Sequence, residues 1–160
     1  MKIKTIEIKV FEYSSLDDLP EQDKKLIMLA REAGLNAYAP YSGFRVGAAV
    51  LLENAEIITG NNQENAAYPS GLCAERIALF YAAANYPSVA VRALAISNFN
   101  NGGISTEIAK PCGSCRQVIG EYEDLSHLPI KIILDGGNSI QVFEGIDNLL
   151  PLRFKKEDLG

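Results

Sequence analysis

The chain has 160 residues, of which 48% are hydrophobic and 22% charged, the balance of one soluble globular domain rather than two. Twenty acidic against fifteen basic residues leave a net charge of −5, and no cluster of basic residues offers a surface for nucleic acid. The longest apolar run, Ile77 to Ala84, is far shorter than the roughly 20 residues that cross a bilayer. We therefore expect neither a nucleic acid nor a membrane as a partner.

The first 19 residues differ in pattern from the rest of the chain. Apolar residues alternate with charged residues over residues 1–13, which predicts a strand, and a polar link follows it. We interpret residues 1–19 as an N-terminal extension, an added strand and a link, ahead of a domain that covers residues 20–160. The alternating stretch lacks the continuous apolar core of a signal peptide, so we expect a cytoplasmic protein.

Helices and strands alternate along the remaining sequence. Pro20 opens the first predicted helix, which ends near residues 34–38. The later predictions are strands over residues 44–53 and 56–60, a buried helix over 72–86, a strand over 92–98, a loop over 100–110, a helix over 111–122, and strands over 130–134 and 140–144. This order predicts an α/β fold, a three-layer α/β/α sandwich around a mixed, roughly five-stranded sheet.

Three cysteines lie at the starts of two predicted helices. Cys73 begins one helix, and Cys112 and Cys115 begin the next, three residues apart and therefore on one face. Helix N-termini stabilise thiolates, and three thiolates leave one position of a tetrahedral zinc ion open, as catalytic sites require. Glu75 matches the carboxylate that acts as acid and base in zinc deaminases without binding the metal.

The cysteines also fit other kinds of site. A Cys-x-x-Cys pair alone also fits a structural zinc site or a redox pair, although a thioredoxin-like pair would follow the first strand of a βαβ unit. His127 could close a structural site as a fourth ligand, but its predicted loop position favours a solvated side chain. As the only histidine, it also argues against Ser-His or Cys-His catalysis.

With these motifs in place, the chain resembles the small three-cysteine cytidine deaminases of pyrimidine nucleoside salvage. The resemblance covers about residues 20–160 and rests on several motifs in order: Ala39-Pro40-Tyr41-Ser42-Gly43-Phe44-Arg45-Val46-Gly47-Ala48-Ala49, Asn62-Gln63-Glu64-Asn65-Ala66-Ala67-Tyr68, Cys73-Ala74-Glu75, Pro111-Cys112-Gly113-Ser114-Cys115-Arg116-Gln117 and Leu149-Leu150-Pro151. It implies one Zn²⁺ per chain and the hydrolysis of cytidine and deoxycytidine to uridine and deoxyuridine with release of ammonia.

The resemblance also implies roles for single residues. Glu75 would be the catalytic proton shuttle, and the ribose would be read by Asn62 and Glu64. The complete set of implied substrate contacts is Phe44, Asn62, Glu64, Tyr68 and Ala74. Family members are homotetramers whose sites are completed by neighbouring subunits, which implies a neighbour-subunit contact at Phe154. The residues before Phe154 are larger than is usual for the family.

Arg76 is a candidate for tuning the charge of the metal site. Three thiolates around Zn²⁺ have a formal charge of −1, and we hypothesise that Arg76, together with Arg116, hydrogen-bonds the sulfurs and offsets it. Two alternative functions stay open at this point. One is a related zinc deaminase of another aminated ring, such as blasticidin S, and the other is a non-enzymatic domain stabilised by structural zinc.

Overall fold

The computed structural model of the chain describes residues 1–100 and 102–160. Its α-helices are α1 (Glu21–Leu35), α2 (Ala74–Asn85) and α3 (Gly113–Ser126). The strands are β1 (Phe11–Tyr13), β2 (Arg45–Leu52), β3 (Ile57–Asn61), β4 (Val91–Asn100), β5 (Gly103–Ile104), β6 (Lys131–Asp135) and β7 (Ile140–Glu144). Within the described ranges, no helix has both the length and the apolar character that a membrane crossing demands.

The strands form one mixed sheet. Their order is β1-β7-β6-β4-β2-β3, with β5 paired to β4 outside this path. The β4–β6 pair is parallel, and the other pairs are antiparallel. The prediction of a mixed sheet is confirmed, and the five strands that it counted are β2, β3, β4, β6 and β7. The described sheet has seven strands because β1 and β5 add to this set.

Two separate apolar cores confirm the three-layer sandwich. On one face of the sheet, Leu26 and Ile27 of α1 are fully buried against residues such as Ala49 of β2. On the other face, Leu79 of α2 and Ile119 of α3 are buried against alternate residues of the same strands. Successive strand residues point to opposite faces, so each central strand contributes to both cores, and for this reason the strands are nearly continuously apolar.

Two predictions about irregular segments need correction. The strand predicted over residues 1–13 is present only as β1, and residues 1–10 are exposed and lie outside any strand. The loop predicted over residues 100–110 contains β5, and Asn101 of that loop lies outside the described residues. The boundary between an extension and a domain at residue 20 stays a prediction.

The chain topology brings the starts of α2 and α3 together. Helix α2 follows β3, and helix α3 follows β4 and its short partner β5. Because β3 and β4 both pair antiparallel with β2, they run in the same direction and end at the same side of the sheet. Ligands of α/β sheets bind in crevices at this end of the strands. The two helix N-termini that carry the cysteines therefore meet at one crevice.

A buried ion pair ties α1 to the centre of the sheet. Asp135, 1% exposed at the end of β6, accepts two hydrogen bonds from the guanidinium of Arg31, at 2.7 and 2.9 Å. It also accepts from the Ser97 hydroxyl at 2.8 Å and the Gly137 N–H at 3.0 Å. These donors compensate the desolvation of the carboxylate, so the network joins α1 to two neighbouring strands of the sheet at little net cost.

Replacing Asp135 with alanine is expected to lower the free energy of unfolding by about 3 kcal/mol, because Arg31 loses its partner in a half-buried position. Urea denaturation of the zinc-loaded protein measures this change. Glu53→Ala is the matched control, since it breaks an exposed ion pair with Arg92 and should cost less than about 1 kcal/mol. Equal losses for the two variants would contradict the role given to Asp135.

Candidate metal centre

Three cysteine sulfurs meet where α2 and α3 begin. Cys73 immediately precedes α2, Cys112 immediately precedes α3, and Cys115 lies in the first turn of α3. The Sγ atom of Cys112 is 3.9 Å from that of Cys73 and 3.4 Å from that of Cys115. All three sulfurs lie within 4.8 Å of one another, so the cluster that the spacing predicts is present.

The spacing of the sulfurs fits a zinc ion. Thiolates bound tetrahedrally at a Zn–S distance of about 2.3 Å lie about 3.8 Å from each other, close to the separations of the three cysteines. Among the described residues, this cluster includes no histidine and no carboxylate. The donor set therefore fills three positions and leaves the fourth for a ligand that the protein does not supply, as in catalytic zinc sites.

One of the three thiols, that of Cys73, loses its proton more easily than a free cysteine does. A hydrogen bond from the Cys115 thiol, together with smaller effects of the Arg76 guanidinium and the Cys112 thiol, lowers the pKa of Cys73 to about 5. The same contact, together with burial, raises the pKa of Cys115. A thiolate is thus available at neutral pH to begin metal binding, and the remaining thiols release their protons as the metal binds.

His127 cannot act as the fourth ligand of this site within one chain. It follows the last residue of α3, whereas Cys115 lies in the first turn of that helix. Twelve residues of α-helix separate the two positions by about 18 Å. His127 instead ends the helix in the left-handed region, with φ at 53°. The interpretation of a closed Cys₃His structural site is wrong.

Glu75 is the buried acid beside the sulfurs. It is the second residue of α2 and is only 4% exposed, and it lines a cavity of about 170 Å³ together with Cys73 and Cys112. Burial raises the pKa of Glu75, and the negative charge of Cys73 raises it further. A carboxyl group in this environment holds a proton more readily than a solvated glutamate does, which suits a group that must take up and release protons.

Arg76 approaches the cluster as the sequence predicts. Its Nη2 atom lies 3.7 Å from Cys73 Sγ, and this hydrogen bond raises the pKa of Arg76. Its Nε atom is buried and has no hydrogen-bond partner among the described residues. The guanidinium is partly buried and lies beside the thiolate cluster, a position consistent with the hypothesis that it offsets the negative charge of the sulfurs.

Arg116 does not share this role, so the part of the hypothesis that concerned it is wrong. Its Nε atom donates to the Pro111 carbonyl at 2.8 Å, and its Nη1 atom donates to the Leu149 carbonyl at 2.6 Å. Arg116 therefore holds the turn before Cys112 and the start of the C-terminal tail. The sequence contained no signal for this function, because both partners are backbone groups brought close only by the fold.

A second cavity of about 500 Å³ opens beside the first, and Asn62 and Cys73 line both. The backbone at the start of β2 holds the Asn62 side chain. Its Oδ1 accepts a hydrogen bond from Val46 N–H at 2.7 Å, and its Nδ2 donates to the Phe44 carbonyl at 3.0 Å. One amide hydrogen and one lone pair of this side chain remain for a ligand. The loop motif therefore lies next to the sulfur cluster.

Glu64 lines the larger cavity with its carboxylate at the surface. It accepts a hydrogen bond from the Ser42 hydroxyl and another from Tyr41 N–H at 2.8 Å, and these contacts lower the pKa of Glu64. The carboxylate is therefore ionised and fixed in place at neutral pH. No sequence signal identifies Ser42 as a positioning residue, because its partner Glu64 lies 22 residues further along the chain.

The other predicted contacts take different positions. Phe44 lines the smaller cavity and is 41% exposed, and Ala74 is fully buried as the first residue of α2. Tyr68 lines the larger cavity, packs edge-on against Tyr41 and is 76% exposed. Phe154 lies in the tail and outside the lining of both cavities, and its carbonyl accepts from Gln117 at 2.8 Å.

Three clustered thiols with an open coordination position and a buried acid within one cavity define a zinc-type deaminase, an enzyme. Comparisons with known proteins agree with this class. The family model described as "Cytidine and deoxycytidylate deaminase zinc-binding region" matches residues 20–127.

Individual relatives match over most of their length. The chain is 40% identical over 137 residues to a cytidine deaminase of Sporosarcina psychrophila, which covers 86% of this chain and 94% of the relative. It is 39% identical over 140 residues to a cytidine deaminase of Halalkalibacterium halodurans, and the match covers 84% of this chain and 96% of the relative.

A solved structure gives the same result for the fold. The crystal structure of cytidine deaminase from Burkholderia pseudomallei superposes with a TM-score of 0.69 at 35% identity, covering 85% of this chain and 100% of that chain. The chain belongs to the cytidine and deoxycytidylate deaminase family. Its zinc site, one per chain, is formed by Cys73, Cys112 and Cys115.

Proposed function

We propose that this enzyme hydrolyses cytidine and deoxycytidine to uridine and deoxyuridine with release of ammonia, in pyrimidine salvage. The observation that carries the proposal is the position of Glu75, buried in the same cavity as Cys73 and Cys112. A bound zinc ion supplies a water molecule of lowered pKa at this place. The residues of the chain then orient the substrate and move its protons.

Glu75 performs the proton transfers. Its carboxylate accepts a proton from the attacking water and donates it to N3 of the cytosine ring, which makes C4 more electrophilic. After attack at C4, the same group takes the remaining proton of the attacking oxygen and passes it to the amino nitrogen, so that the C4–N bond breaks and ammonia leaves. The raised pKa of Glu75 suits this task, since the group must both take up and release a proton.

Asn62 and Glu64 are the proposed contacts of the sugar. Both line the larger cavity, and Asn62 also lines the smaller one, so a ribose in the larger cavity would place its base in the smaller cavity beside Glu75. The fixed carboxylate of Glu64 accepts hydrogen bonds from hydroxyl groups and repels a nearby phosphate. We therefore favour free nucleosides over nucleotides as substrates.

The Glu64→Gln variant should raise KM for cytidine about tenfold with little change in kcat, because hydrogen bonds to a charged acceptor contribute more than those to a neutral one. Steady-state kinetics on the zinc-loaded enzyme measures both constants. Ser42→Ala is the matched control, since it removes a hydroxyl that holds Glu64 but leaves the carboxylate in place. A larger KM increase for Ser42→Ala would show that Glu64 only shapes the loop.

Phe44 and Ala74 complete the proposed base site. Phe44 offers an aromatic surface to the pyrimidine, and Ala74 offers backbone groups at the start of α2, beside Cys73. Tyr68 and Phe154 are 76% and 57% exposed, which suits contacts with neighbouring subunits in a homotetramer. Because the zinc-binding thiols must stay reduced, we place the enzyme in the cytoplasm.

A substrate panel tests the proposal directly. The loss of ultraviolet absorbance should be seen with cytidine and deoxycytidine, while cytidine monophosphate and adenosine should react at least about 100-fold more slowly. Blasticidin S belongs in the panel as the alternative aminated ring. Zinc content measured on the same sample separates an unsuitable substrate from an unloaded enzyme. Preferential turnover of the monophosphate or of blasticidin S would overturn the proposal.

A further inference from the structure

Residues 1–10, which we call the N-terminal arm, precede the region that the family model matches. The arm is described by the structure and lies on the surface outside any strand. Its apolar side chains Ile6, Ile8 and Val10 are 45%, 57% and 42% exposed. Such regular alternation of apolar and charged residues is typical of a strand with one covered face, and the single chain leaves that face uncovered.

The arm leads directly into an open edge of the sheet. Strand β1 pairs with β7 on one side and is the last strand in the sheet order, so no strand of residues 1–100 or 102–160 lies beside its other side. The backbone N–H of Lys9 points toward the body of the protein, where it donates to Asn148 Oδ1 at 2.9 Å. In an extended chain, the backbone groups of even-numbered residues would therefore point toward the open edge.

We propose that the N-terminal arm pairs with the arm of a second copy of this chain, as antiparallel strands related by a two-fold axis at Ile8. This pairing extends β1 and joins two sheets edge to edge. It places Ile8 opposite its copy and Ile6 opposite Val10. Residues with outward-pointing backbone groups then pair with each other, as an antiparallel ladder requires.

The charges of the arm select this register. With the axis at Ile8, Glu7 lies opposite Lys9, and Lys4 lies opposite Glu12, so each charged residue from 4 to 12 meets an opposite charge. An axis at Glu7 would place two glutamates together, and an axis at Lys9 would place two lysines together. Like charges directly opposite each other destabilise a strand pair, whereas opposite charges stabilise it.

The same register treats the two faces of the ribbon differently. Ile6, Ile8 and Val10 come together with their copies on one face, which covers the apolar side chains that a single chain exposes. Phe11, opposite Val142 of β7, points to the face that α1 covers, and it would gain Thr5 of the second copy as a neighbour. Self-complementary pairing of one segment is the contact that a two-fold dimer uses.

Disulfide trapping tests the register without reference to catalysis. In the zinc-loaded Ile8→Cys variant, the two introduced thiols face each other across the axis, so mild oxidation with oxidised glutathione should give a covalent dimer. In the control Thr5→Cys, the introduced thiols would be about 20 Å apart, six positions along the strand. We expect the Ile8→Cys dimer to form at least tenfold faster. Equal rates, or no dimer from either variant, would overturn the proposal.

Charge exchange tests the same contact by a second route. Adding Glu7→Lys to Ile8→Cys places lysines opposite each other and should slow the formation of the dimer about tenfold. Adding Lys9→Glu as well restores opposite charges and should restore the rate. Glu56→Lys, an exposed change of the same sign on the turn between β2 and β3, is the control and should have no effect. If adding Lys9→Glu fails to restore the rate of dimer formation, the proposed pairing is contradicted.

Discussion

The Glu75→Gln variant is expected to lower kcat for cytidine by about 10³-fold or more while the protein keeps its fold and its zinc. Glutamine has the shape of glutamate but cannot accept and release a proton, and general acid and base catalysis contributes about 10² to 10⁴ in rate. Here one carboxylate would perform several transfers, which favours the upper part of that range. Steady-state kinetics and zinc content on the same preparation measure the two effects.

Two controls make this result specific. Glu56→Gln makes the same chemical change at an exposed residue and should leave both kcat and the zinc content unaltered. The thermal unfolding temperature of Glu75→Gln should not be lower than that of the parent, because an amide costs less to bury than an ionisable carboxyl group. A variant that keeps more than a tenth of the parental kcat would show that another group moves the protons.

The second large effect concerns the metal. Cys112→Ala removes one of three ligands at an exposed position, so the fold should survive while bound zinc falls from about one ion per chain to almost none after dialysis. Cytidine turnover should disappear with the zinc. Ser114→Ala, in the same helical turn and also exposed, is the matched control and should retain both zinc and activity.

The Arg76→Ala variant should weaken zinc binding less than Cys112→Ala does. It removes no ligand but takes away the guanidinium that hydrogen-bonds Cys73 Sγ. Loss of a group that supports a ligand typically weakens metal binding by 10- to 100-fold, which competition with a chelator can measure. Zinc affinity equal to that of the parent would mean that Arg76 does not stabilise the charge of the sulfurs.

The metal site could be predicted because its signals are local in sequence. Cys112 and Cys115 share a helix start, and Cys73 and Glu75 share another, so spacing alone indicates which side chains project together. The apolar patterns of the buried strands and helices likewise placed the central elements and the three layers. What the pattern could not supply was the distance between the two helix starts, which depends on strand order.

Other features depended on contacts between distant backbone groups. The position of Arg116 after Cys115 indicates a contact with the sulfurs, yet its Nε and Nη1 atoms donate to two carbonyls that sequence proximity does not reveal. Residues 1–10 alternate like a strand, but in one chain only Phe11–Tyr13 find a partner in β7. Short β5 was predicted as loop because two residues carry no periodic signal.

Arg116 links two parts of the molecule that lie far apart in the sequence. One end of its guanidinium fixes the turn that enters the zinc ligands, and the other end fixes the tail that leads to Phe154. A shift of either segment would alter a hydrogen bond of the same guanidinium. We therefore expect a displacement of the tail at Leu149 to act, through Arg116, on the turn that precedes Cys112.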